Sequence, residues 1–597
     1  MKSVKRTEFL AACVAAIALV FAAYAGSLDN SFHFDDSHVI ENNLYIRSLD
    51  HVPQYFTDAH TFSSLPQNAT YRPLVTLSLA LDYARGGLRP RPYHVTQIAL
   101  LLLTGALLVL FFTSITGELP ALFAATLFCV HTANTETMNL ISARSELLSA
   151  IGLLASFVLY QRSQLARRSS LYLVPLAIGA LAKAPVVVFA PLLFAYALLI
   201  EKKSPRQALR IALPSLLLGI ALLVFLNNMN AKEWESGGGS AWSYLITQPF
   251  VWLHYARLFV LPVGLTADSD WTAFAHWYDT RAVAGYAFIA LLILAIRRAP
   301  APVAFGLTWF AVALLPTSLF PLAEVANEHR IFFAFIGLVL AAATYVRTRW
   351  LAVAATLFLC VHAFATHERN QIWRNEETLW ADVVAKSPAN GRAWMNYGLT
   401  QMAKGEYADA KRNFQHAATL VPNYATLEIN LGVVEGELGD DAAAERHFRR
   451  ALALHPDVSA HLFYARWLTR RGRAPEALPH AREAMRRSPA SAEARALVSR
   501  LEVAIGGAGS QTWPNYKSAF EAGLEALRNR DWSTAIEANR AALSRDPRSA
   551  DAWNNLGWSL AQLGFRDESV RAYRKGLEIR PDDQRLANNL RLIAPAP

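Results

Sequence analysis

The sequence has little cysteine. Its 597 residues include three, Cys13, Cys129 and Cys360, and each lies inside an apolar run. Three separate thiols in apolar segments provide neither a disulfide framework nor a set of zinc ligands. A disulfide-stapled fold and a cysteine-based zinc site are therefore excluded.

Signals for nucleotides and nucleic acids are also missing. No G-x-G-x-x-G motif follows a strand-like run, and that motif marks the loop that holds a dinucleotide pyrophosphate. The chain carries 57 Lys and Arg against 47 Asp and Glu, a formal charge of +10, but many of the basic residues flank apolar segments. Such placement is typical of membrane orientation, so no nucleic-acid partner is expected.

Apolar residues are abundant and make up 53% of the chain, too much for an ordinary soluble enzyme of this length. An apolar segment at 9–25 follows a basic start, and we expect it to be retained as a first spanning helix. Further apolar bands lie at 95–113, 119–131, 146–160, 171–182, 184–200, 208–227, 248–263, 283–296, 302–320, 331–346 and 350–364. Several are shorter than the ~20 residues that span a bilayer, so broken or tilted helices are expected. Residues 1–365 are predicted to form a polytopic helical membrane domain.

Basic clusters in the short connections predict the topology. They lie at residues 1–6, 162–168, 202–206, 297–298 and 347–349. A cytoplasmic location for all five fits every band except 248–263, which we interpret as interfacial or re-entrant, leaving about eleven crossings. The segments on the opposite side are then 27–94, 132–145, 228–282, 321–330 and everything after residue 365. The loop 27–94 is rich in aromatic residues, so we expect it to form helices on the membrane surface.

The amino-acid composition changes after residue 365, where the sequence is charged and rich in alanine and has regularly spaced prolines. The prolines are Pro388, Pro422, Pro456 and Pro489, and then Pro547 and Pro581, at spacings of 33 or 34 residues. This is the tetratricopeptide period. Small and aromatic residues fill the signature positions, for example Gly398 with Phe414 and Gly432 with Phe448. The pattern predicts an α-solenoid of repeats over 366–505 and 516–597, separated by a glycine-rich hinge at 506–515.

Ionisable residues collect in the polar segments opposite the basic clusters. Asp35 and Asp36 follow the first apolar segment directly, and two adjacent carboxylates must face water, a cation or a proton donor. The other members of the set are His94, His131, Glu136, Arg72, Arg144, Glu146, Lys183, Asp268, Asp270, Glu328, His329 and Arg330. Ionisable groups near membrane depth usually face a cavity, so a polar site is predicted at this side of the domain.

Several of these residues also have a structural interpretation. The two adjacent carboxylates can cap a helix or lie in a solvated turn. Arg144 and Arg330 can be snorkelling anchors at helix ends. Lys183 can be an interfacial charge, and Asp268 and Asp270 can belong to a solvated loop. The sequence leaves these alternatives open.

The order of these motifs resembles a known family, the transmembrane and tetratricopeptide-repeat O-mannosyltransferases and their bacterial relatives. The matching features are Phe34-Asp35-Asp36, Tyr71-Arg72-Pro73-Leu74, Tyr93-His94, His131 with Glu136, Arg144-Ser145-Glu146-Leu147, Lys183 and Glu328-His329-Arg330, followed by the repeats. The resemblance spans nearly the whole chain and depends on order more than on any single motif. Two departures are Lys183-Ala184, where the family often has Lys-Glu, and His131-Thr132-Ala133, where it has a proline-containing turn.

The resemblance implies an all-α GT-C glycosyltransferase that transfers a sugar, mannose in the eukaryotic members, from a polyprenyl-phosphate donor with inversion. Transfer to a hydroxyl requires a base and a cationic cradle for the departing phosphate. Asp35 or Asp36 fits the base, with Glu136 as a further catalytic candidate. The candidates for phosphate binding are Arg72, Arg144, Lys183, His329 and Arg330. Further site candidates are His94, His131, Glu146, Asp268, Asp270 and Glu328. A divalent cation near Asp35 and Asp36 is compatible with the pattern but not required by it.

The leading hypothesis is thus a glycosyltransferase of the bacterial inner membrane whose periplasmic repeats recruit the acceptor, a Ser or Thr of a protein. One alternative is a non-enzymatic, membrane-anchored repeat scaffold for envelope or secretion assembly. Another is a polysaccharide ligase or polymerase, which would act on a diphosphate-linked glycan through His and Arg residues of a large loop.

Overall fold

The computed structural model describes residues 6–231, 240–346, 349–489, 491–505 and 513–593. Within these ranges every regular element is a helix and no strand occurs, which confirms the all-α fold class. The chain forms two compact units, Met1–Ala393 and Trp394–Pro597. Most of the predicted hinge at 506–515 lies outside the described residues, as do parts of the first and last basic clusters.

The first unit is built from helices of very different lengths. They are α1 Arg6–Tyr24, α2 Val52–Tyr55, α3 Pro73–Gly86, α4 Pro90–Thr116, α5 Glu118–Val130, α6 Thr135–Asn139, α7 Arg144–Arg162, α8 Gln164–Ser169, α9 Leu173–Ala180, α10 Phe189–Leu199, α11 Pro205–Met229, α12 Ala241–Val260, α13 Thr280–Arg298, α14 Ala301–Leu319, α15 Ile331–Ala343, α16 Arg349–Ile372 and α17 Glu376–Lys386.

Seven helical segments among the described residues are long and apolar enough to cross a membrane, so the chain is a multi-pass membrane protein. They are Arg6–Asp29, Pro90–Thr116, Ile141–Arg162, Pro205–Met229, Thr280–Arg298, Ala301–Leu319 and Trp350–Ile372. The predicted number of crossings is larger because it also counts short apolar bands, such as α5 and α10. Helix α12, which covers most of the band at 248–263, is not among the seven, and its interfacial placement stays a prediction.

The core of the membrane domain surrounds α15. Every residue of this helix except Ala342 is buried, as expected for a helix that is apolar on all sides. Helix α14 packs along it, and the two backbones approach at glycines. A Cβ atom on Gly306 would lie 2.4 Å from the carbonyl oxygen of Gly337.

A chain of buried amides joins three parts of the membrane domain. Asn30 Nδ2 donates to Asn139 Oδ1 at 2.6 Å, and Asn139 Nδ2 donates to Asn370 Oδ1 at 2.6 Å. The Asn370 side chain then donates to the carbonyl oxygen of Ala23. Because unpaired amides are costly in an apolar interior, this chain fixes the end of α1 against α6 and α16.

The first polar loop forms a small core of its own. Its 3₁₀ and π turns and α2 and α3 bury Ile40, Ile46, Tyr55 and Leu79, and this core also takes in Tyr93 from α4. The expected short helices are therefore present, and they pack on one another as well as on the spanning helices.

The boundary between the two compact units lies at residues 393 and 394, whereas the composition changes after residue 365. Helix α16 continues past the apolar stretch to Ile372, and Trp373 at its end is completely buried beside His33. Residues 366–393 therefore fold with the membrane domain, because Trp373 contacts the first polar loop and because Lys386 and Arg392 bond to Leu265 and Asp268.

From residue 391 the helices follow one another in antiparallel pairs. They are α18 Gly391–Ala403, α19 Tyr407–Leu420, α20 Ala425–Glu437, α21 Asp441–Leu454, α22 Val458–Arg470, α23 Ala474–Arg487, α24 Ala492–Ala504, α25 Tyr516–Arg528, α26 Trp532–Arg545, α27 Ala550–Gln562, α28 Arg566–Ile579 and α29 Gln584–Ile593. The predicted seam positions are occupied as expected. A Cβ on Gly398 would lie 2.6 Å from the Phe414 ring, and one on Gly432 would lie 3.0 Å from the Phe448 ring.

We predict that Gly306→Ala destabilises the membrane domain although alanine is the better helix former. The added methyl group meets the α15 backbone, and overpacking of a core costs about 1–3 kcal/mol. Gly219→Ala in α11 is the matched control, since a Cβ there meets no atom within 4 Å. Thermal unfolding of the purified protein in detergent should show a lower midpoint for the first variant only. Equal midpoints for both variants would contradict the close approach of α14 and α15.

Candidate functional site

The adjacent carboxylates Asp35 and Asp36 lie in different environments. Asp36 is fully buried. Its Oδ1 accepts a hydrogen bond from the backbone N–H of Ser142 at 2.7 Å, and its Oδ2 accepts from Ile141 at 3.1 Å and from His33 at 3.3 Å. Burial raises the pKa of Asp36 to about 6, although the three N–H donors oppose part of that rise. Asp36 is therefore a structural group that ties the first polar loop to the start of α7.

Asp35 faces outward, and its side chain is 67% exposed. Its Oδ1 lies 3.4 Å from His38 Nε2. Partial loss of solvent around the carboxyl group raises the pKa of Asp35. The hydrogen bond and charge of His38 and the charges of Arg72 and His329 lower it by more, so the pKa lies below the usual value of 3.8. An ionised and accessible carboxylate at neutral pH follows.

The conformation that separates the two carboxylates is set by Phe34. This residue has a φ of 48°, which is rare for a bulky side chain. Its ring lies 5.0 Å from the Trp380 ring and 6.3 Å from the Trp373 ring, measured between centroids. The two tryptophans hold the strained turn in place, and strain of this kind is often found at functional sites.

Arg72 provides a cation whose charge acts on Asp35. Its guanidinium lies 5.0 Å from the centroid of the Phe62 ring, and its charge acts on both Asp35 and Glu146. Within the described residues the guanidinium has no hydrogen-bond or ion-pair partner. Burial lowers the pKa of Arg72, and the two carboxylates oppose that change. Five N–H donors are thus available to an incoming anion.

Lys183 forms the second cationic position. Its Nζ makes an ion pair with Glu146 Oε1, while its side chain remains 21% exposed. The charges of Arg72 and Arg330 also act on it. Glu146 therefore offsets part of the positive charge of both Lys183 and Arg72.

His329 and Glu136 form a hydrogen-bonded pair on the other side of the site. His329 Nδ1 lies 2.9 Å from Glu136 Oε1. Burial and the charges of Lys183 and Arg330 lower the pKa of His329 to about 3, and burial raises the pKa of Glu136. Both shifts favour a neutral imidazole at neutral pH. The second oxygen of Glu136 is buried and has no hydrogen-bond partner within the described residues.

These residues make one charged cluster, since each influences the charge of at least one other member. Its members are Asp35, Arg72, Glu136, Glu146, Lys183, His329 and Arg330. Arg330 lies at its edge, 7% exposed, and donates to the carbonyl oxygen of Glu324 at 2.8 Å. The cluster combines an accessible carboxylate with free and exchangeable cationic donors, which is a suitable arrangement for binding a phosphate next to a base.

Arg144 does not join this cluster, which corrects its assignment to phosphate binding. Its side chain is fully buried, and its NH1 lies 2.6 Å from Asp82 Oδ2. The Nε atom donates to Gln97 Oε1 and NH2 donates to the carbonyl oxygen of Tyr93, both at 3.0 Å. Its guanidinium compensates the buried charge of Asp82, so Arg144 is a structural residue.

The two histidines His94 and His131 are structural as well. His94 Nε2 lies 3.0 Å from the carbonyl oxygen of Asn30. His131 Nε2 lies 3.0 Å from the carbonyl oxygen of Phe259, and its Nδ1 accepts from the N–H of Ala133 at 3.2 Å. His131 thus caps the short turn that stands where the related family has a proline.

Asp268, Asp270 and Glu328 fix a loop of the membrane domain. Asp268 forms a two-pronged ion pair with Arg392, with both N–O distances at 2.9 Å. Asp270 accepts from the N–H of Ala389 at 3.3 Å, and Glu328 accepts from the N–H of Thr266. Each carboxylate is used in a local structural contact.

Few side chains at the site could coordinate a metal ion. No group of three or more His, Cys, Asp or Glu side chains within the described residues is arranged around a common point. The oxygens of Asp36 already accept three N–H bonds, so they do not face a cation. Asp35 alone remains of the two carboxylates named as candidate ligands.

Four residues at the site were not among the predicted site residues: Phe34, His38, Trp373 and Trp380. The positive φ of Phe34 and the long-range contacts of the two tryptophans depend on the folded chain. From the sequence, Trp373 and Trp380 were expected to pack the first repeat against the membrane domain; in the structure both rings lie against Phe34.

We predict that Asp36→Asn lowers the stability of the protein and that Asp35→Asn does not. An asparagine at position 36 has one acceptor oxygen, so at least one of the three N–H donors is left unpaired, at a cost of about 1–3 kcal/mol. Thermal unfolding of both variants in the same detergent compares them directly. Equal destabilisation by the two substitutions would show that the carboxylates share one environment.

The repeats match the tetratricopeptide repeat family at residues 391–424, 429–492 and 520–584. Among solved structures, the tetratricopeptide protein YrrB, described as having an unusual peptide-binding site, is 18% identical. It has a TM-score of 0.21 and covers 35% of this chain and 96% of its own.

Curated proteins named protein O-mannosyl-transferases are similar to the chain over both parts. F38B6.6 of Caenorhabditis elegans is 24% identical, over 68% of this chain and 62% of that protein. TMTC3 of Homo sapiens is 22% identical, over 95% and 67%, and Tmtc3 of Drosophila melanogaster is 23% identical, over 76% and 60%. The chain spans about 60 to 67% of the length of these relatives. The resemblance to the transmembrane and tetratricopeptide-repeat O-mannosyltransferases is confirmed.

Proposed function

We propose that the chain is a membrane glycosyltransferase of the GT-C type. It transfers a sugar, mannose by analogy with its relatives, from a polyprenyl-phosphate donor to a Ser or Thr hydroxyl of a protein acceptor. The observation that carries the proposal is that one charged cluster contains both the accessible Asp35 carboxylate and the Arg72 guanidinium, which has no ion-pair partner within the described residues, and that their charges act on each other. A purely structural network would satisfy both groups, as it satisfies Asp36 and Arg144.

Asp35 is the base of this reaction. As the acceptor oxygen bonds to the anomeric carbon, Asp35 accepts the hydroxyl proton, and the bond to the donor phosphate breaks on the opposite face with inversion. A carboxylate with a lowered pKa is a weak base. It is sufficient where bond breaking runs ahead of attack, because the hydroxyl becomes acidic only as its oxygen bonds to the electron-poor carbon.

Arg72 and Lys183 bind the departing phosphate. The planar fork of Arg72 matches two phosphate oxygens, and the charge of Arg72 acts on Asp35. Lys183 is bound to Glu146 in the absence of donor, so the donor phosphate competes with Glu146 for its ammonium group. The ammonium group of Lys183 is therefore released from Glu146 when the donor binds, and it can then stabilise the negative charge of the departing phosphate.

The tetratricopeptide repeats recruit the acceptor. Stacked helix pairs build an extended surface suited to an extended polypeptide segment. In this proposal the catalytic face and the repeats share the periplasmic side of a bacterial inner membrane, and the basic clusters lie in the cytoplasm.

We predict that Asp35→Asn abolishes transfer while leaving a folded protein. Loss of a positioned base costs about 10²- to 10⁴-fold in rate. The assay uses purified protein, polyprenyl-phosphate mannose and a Ser/Thr peptide, and Asp50→Asn, an exposed carboxylate of the same loop, is the matched control. Arg72→Gln should also lose most of the rate. Full activity in Asp35→Asn rules out its role as base, and absence of transfer from every polyprenyl-phosphate hexose favours the scaffold alternative.

The pH profile distinguishes the two carboxylates. A base acts when ionised, so activity falls as the pH drops through its pKa. With Asp35 as base, kcat/KM should stay level from about pH 7 down to about pH 5, because the pKa of Asp35 lies below 3.8. An acid limb centred near the pKa of Asp36, about 6, would instead identify Asp36 as the base.

A further inference from the structure

A basic cavity opens where α3 turns into α4. It has a volume of about 660 Å³ and is lined by three arginines, Arg85 at the end of α3, Arg89 in the turn and Arg91 in the first turn of α4. Asp29, Val95 and two prolines complete the lining. No member of the charged cluster belongs to it, so this cavity is distinct from the candidate glycosyltransferase site.

Its charge is only partly compensated by the protein. The lining contains three guanidinium groups and one carboxylate. Arg85 donates to Asp82 Oδ1 at 3.1 Å, and Arg89 uses its Nε for the carbonyl oxygen of Gly86 at 3.1 Å. Arg91 has no hydrogen-bond or ion-pair partner within the part of the chain that the structure describes. Most donors of Arg89 and all donors of Arg91 are therefore available to an anion.

The cavity lies at the end of α4 that contacts the first polar loop. His94 bonds the carbonyl oxygen of Asn30, and Tyr93 packs against Phe32 at 5.2 Å between ring centroids. Near the opposite end of α4, Arg162 from a predicted cytoplasmic cluster donates to the carbonyl oxygen of Leu110. The three arginines are thus on the side that the positive-inside rule leaves poor in basic residues, and membrane orientation does not account for them.

Exposed apolar side chains flank the basic groups along the chain. Leu88 in the turn is 43% exposed and Val95 on α4 is 52% exposed, and α4 is one of the seven candidate spans. A soluble anion needs only the guanidinium groups. A ligand that carries both a phosphate and hydrocarbon chains matches the basic groups and the apolar rim together.

We propose that this cavity binds the headgroup of an anionic phospholipid. Arg89 and Arg91 hold the phosphate, and the acyl chains run along the membrane-facing side of α4 past Val95. Arg85 shares Asp82 with Arg144, so a bound headgroup also supports the contact between α3 and α7. This inference is independent of the proposed transferase activity.

Native mass spectrometry of the full chain in detergent tests the proposal, with phosphatidylglycerol and phosphatidylcholine titrated separately. Wild-type protein should retain phosphatidylglycerol in preference to phosphatidylcholine. The double substitution Arg89→Gln with Arg91→Gln should weaken that binding about tenfold or more. The matched control, Arg571→Gln with Arg574→Gln, removes two exposed arginines from the repeats and should leave binding unchanged.

A second readout is the unfolding temperature, which phosphatidylglycerol should raise in the wild type and the control but not in the double variant. Unchanged lipid retention in the double variant would overturn the proposal. So would equal retention of the zwitterionic lipid, or displacement of phosphatidylglycerol by inorganic phosphate at equal concentration, which would indicate a site for a free anion.

Discussion

The structure of the site depends on one buried carboxylate that is held by backbone N–H groups. Asp36 accepts hydrogen bonds from the backbone N–H groups of His33, Ile141 and Ser142. The bonds from Ile141 and Ser142 connect the first polar loop to the segment before α7, which is far away in sequence. Because a buried carboxylate is costly without donors, the loop can close only in the position that supplies all three. Asp35 then points away from the protein interior.

Two neighbouring acids thereby acquire different chemistry. The direction of the peptide turn at Phe34, held by Trp373 and Trp380, sends one carboxylate inward and the other outward. The inward group has a raised pKa and the outward group a lowered one. The same contrast appears among the arginines, since Arg144 forms an ion pair with Asp82 while the guanidinium of Arg72 has no hydrogen-bond or ion-pair partner in the part of the chain that the structure describes. Residues whose polar atoms are bonded to other protein groups stabilise the fold, and residues without such partners are available to a substrate.

Much of the architecture could be predicted from the sequence because it follows periodic signals. The proline spacing identified the repeats, and glycines opposite aromatic rings confirmed their register. The candidate site was harder to predict. The order of the motifs selected Asp35, Arg72, Lys183 and His329 as site candidates. It selected Arg144, His131 and Asp268 equally well, because these residues are also polar and lie in the same segments. Only their partners, Asp82, Phe259 and Arg392, distinguish them, and a single sequence does not show which distant residue compensates which charge.

The unit boundary illustrates the same limit. Composition changes after residue 365, yet residues 366–393 fold with the membrane domain because Trp373 and Asn370 are buried against the first loop and α6. Local amino-acid composition predicted that residues 366–393 are helical. Long-range packing determined which unit these helices belong to.

The most direct test of this account is a cryo-electron microscopy structure of the full chain with a non-transferable polyprenyl-phosphonate sugar. The account predicts the phosphonate in contact with Arg72 and Lys183, Glu146 displaced from Lys183, and Asp35 facing the anomeric carbon from the side opposite the phosphonate. A donor bound with its phosphonate away from Arg72, or with Asp36 released from its backbone donors to face the sugar, would contradict it.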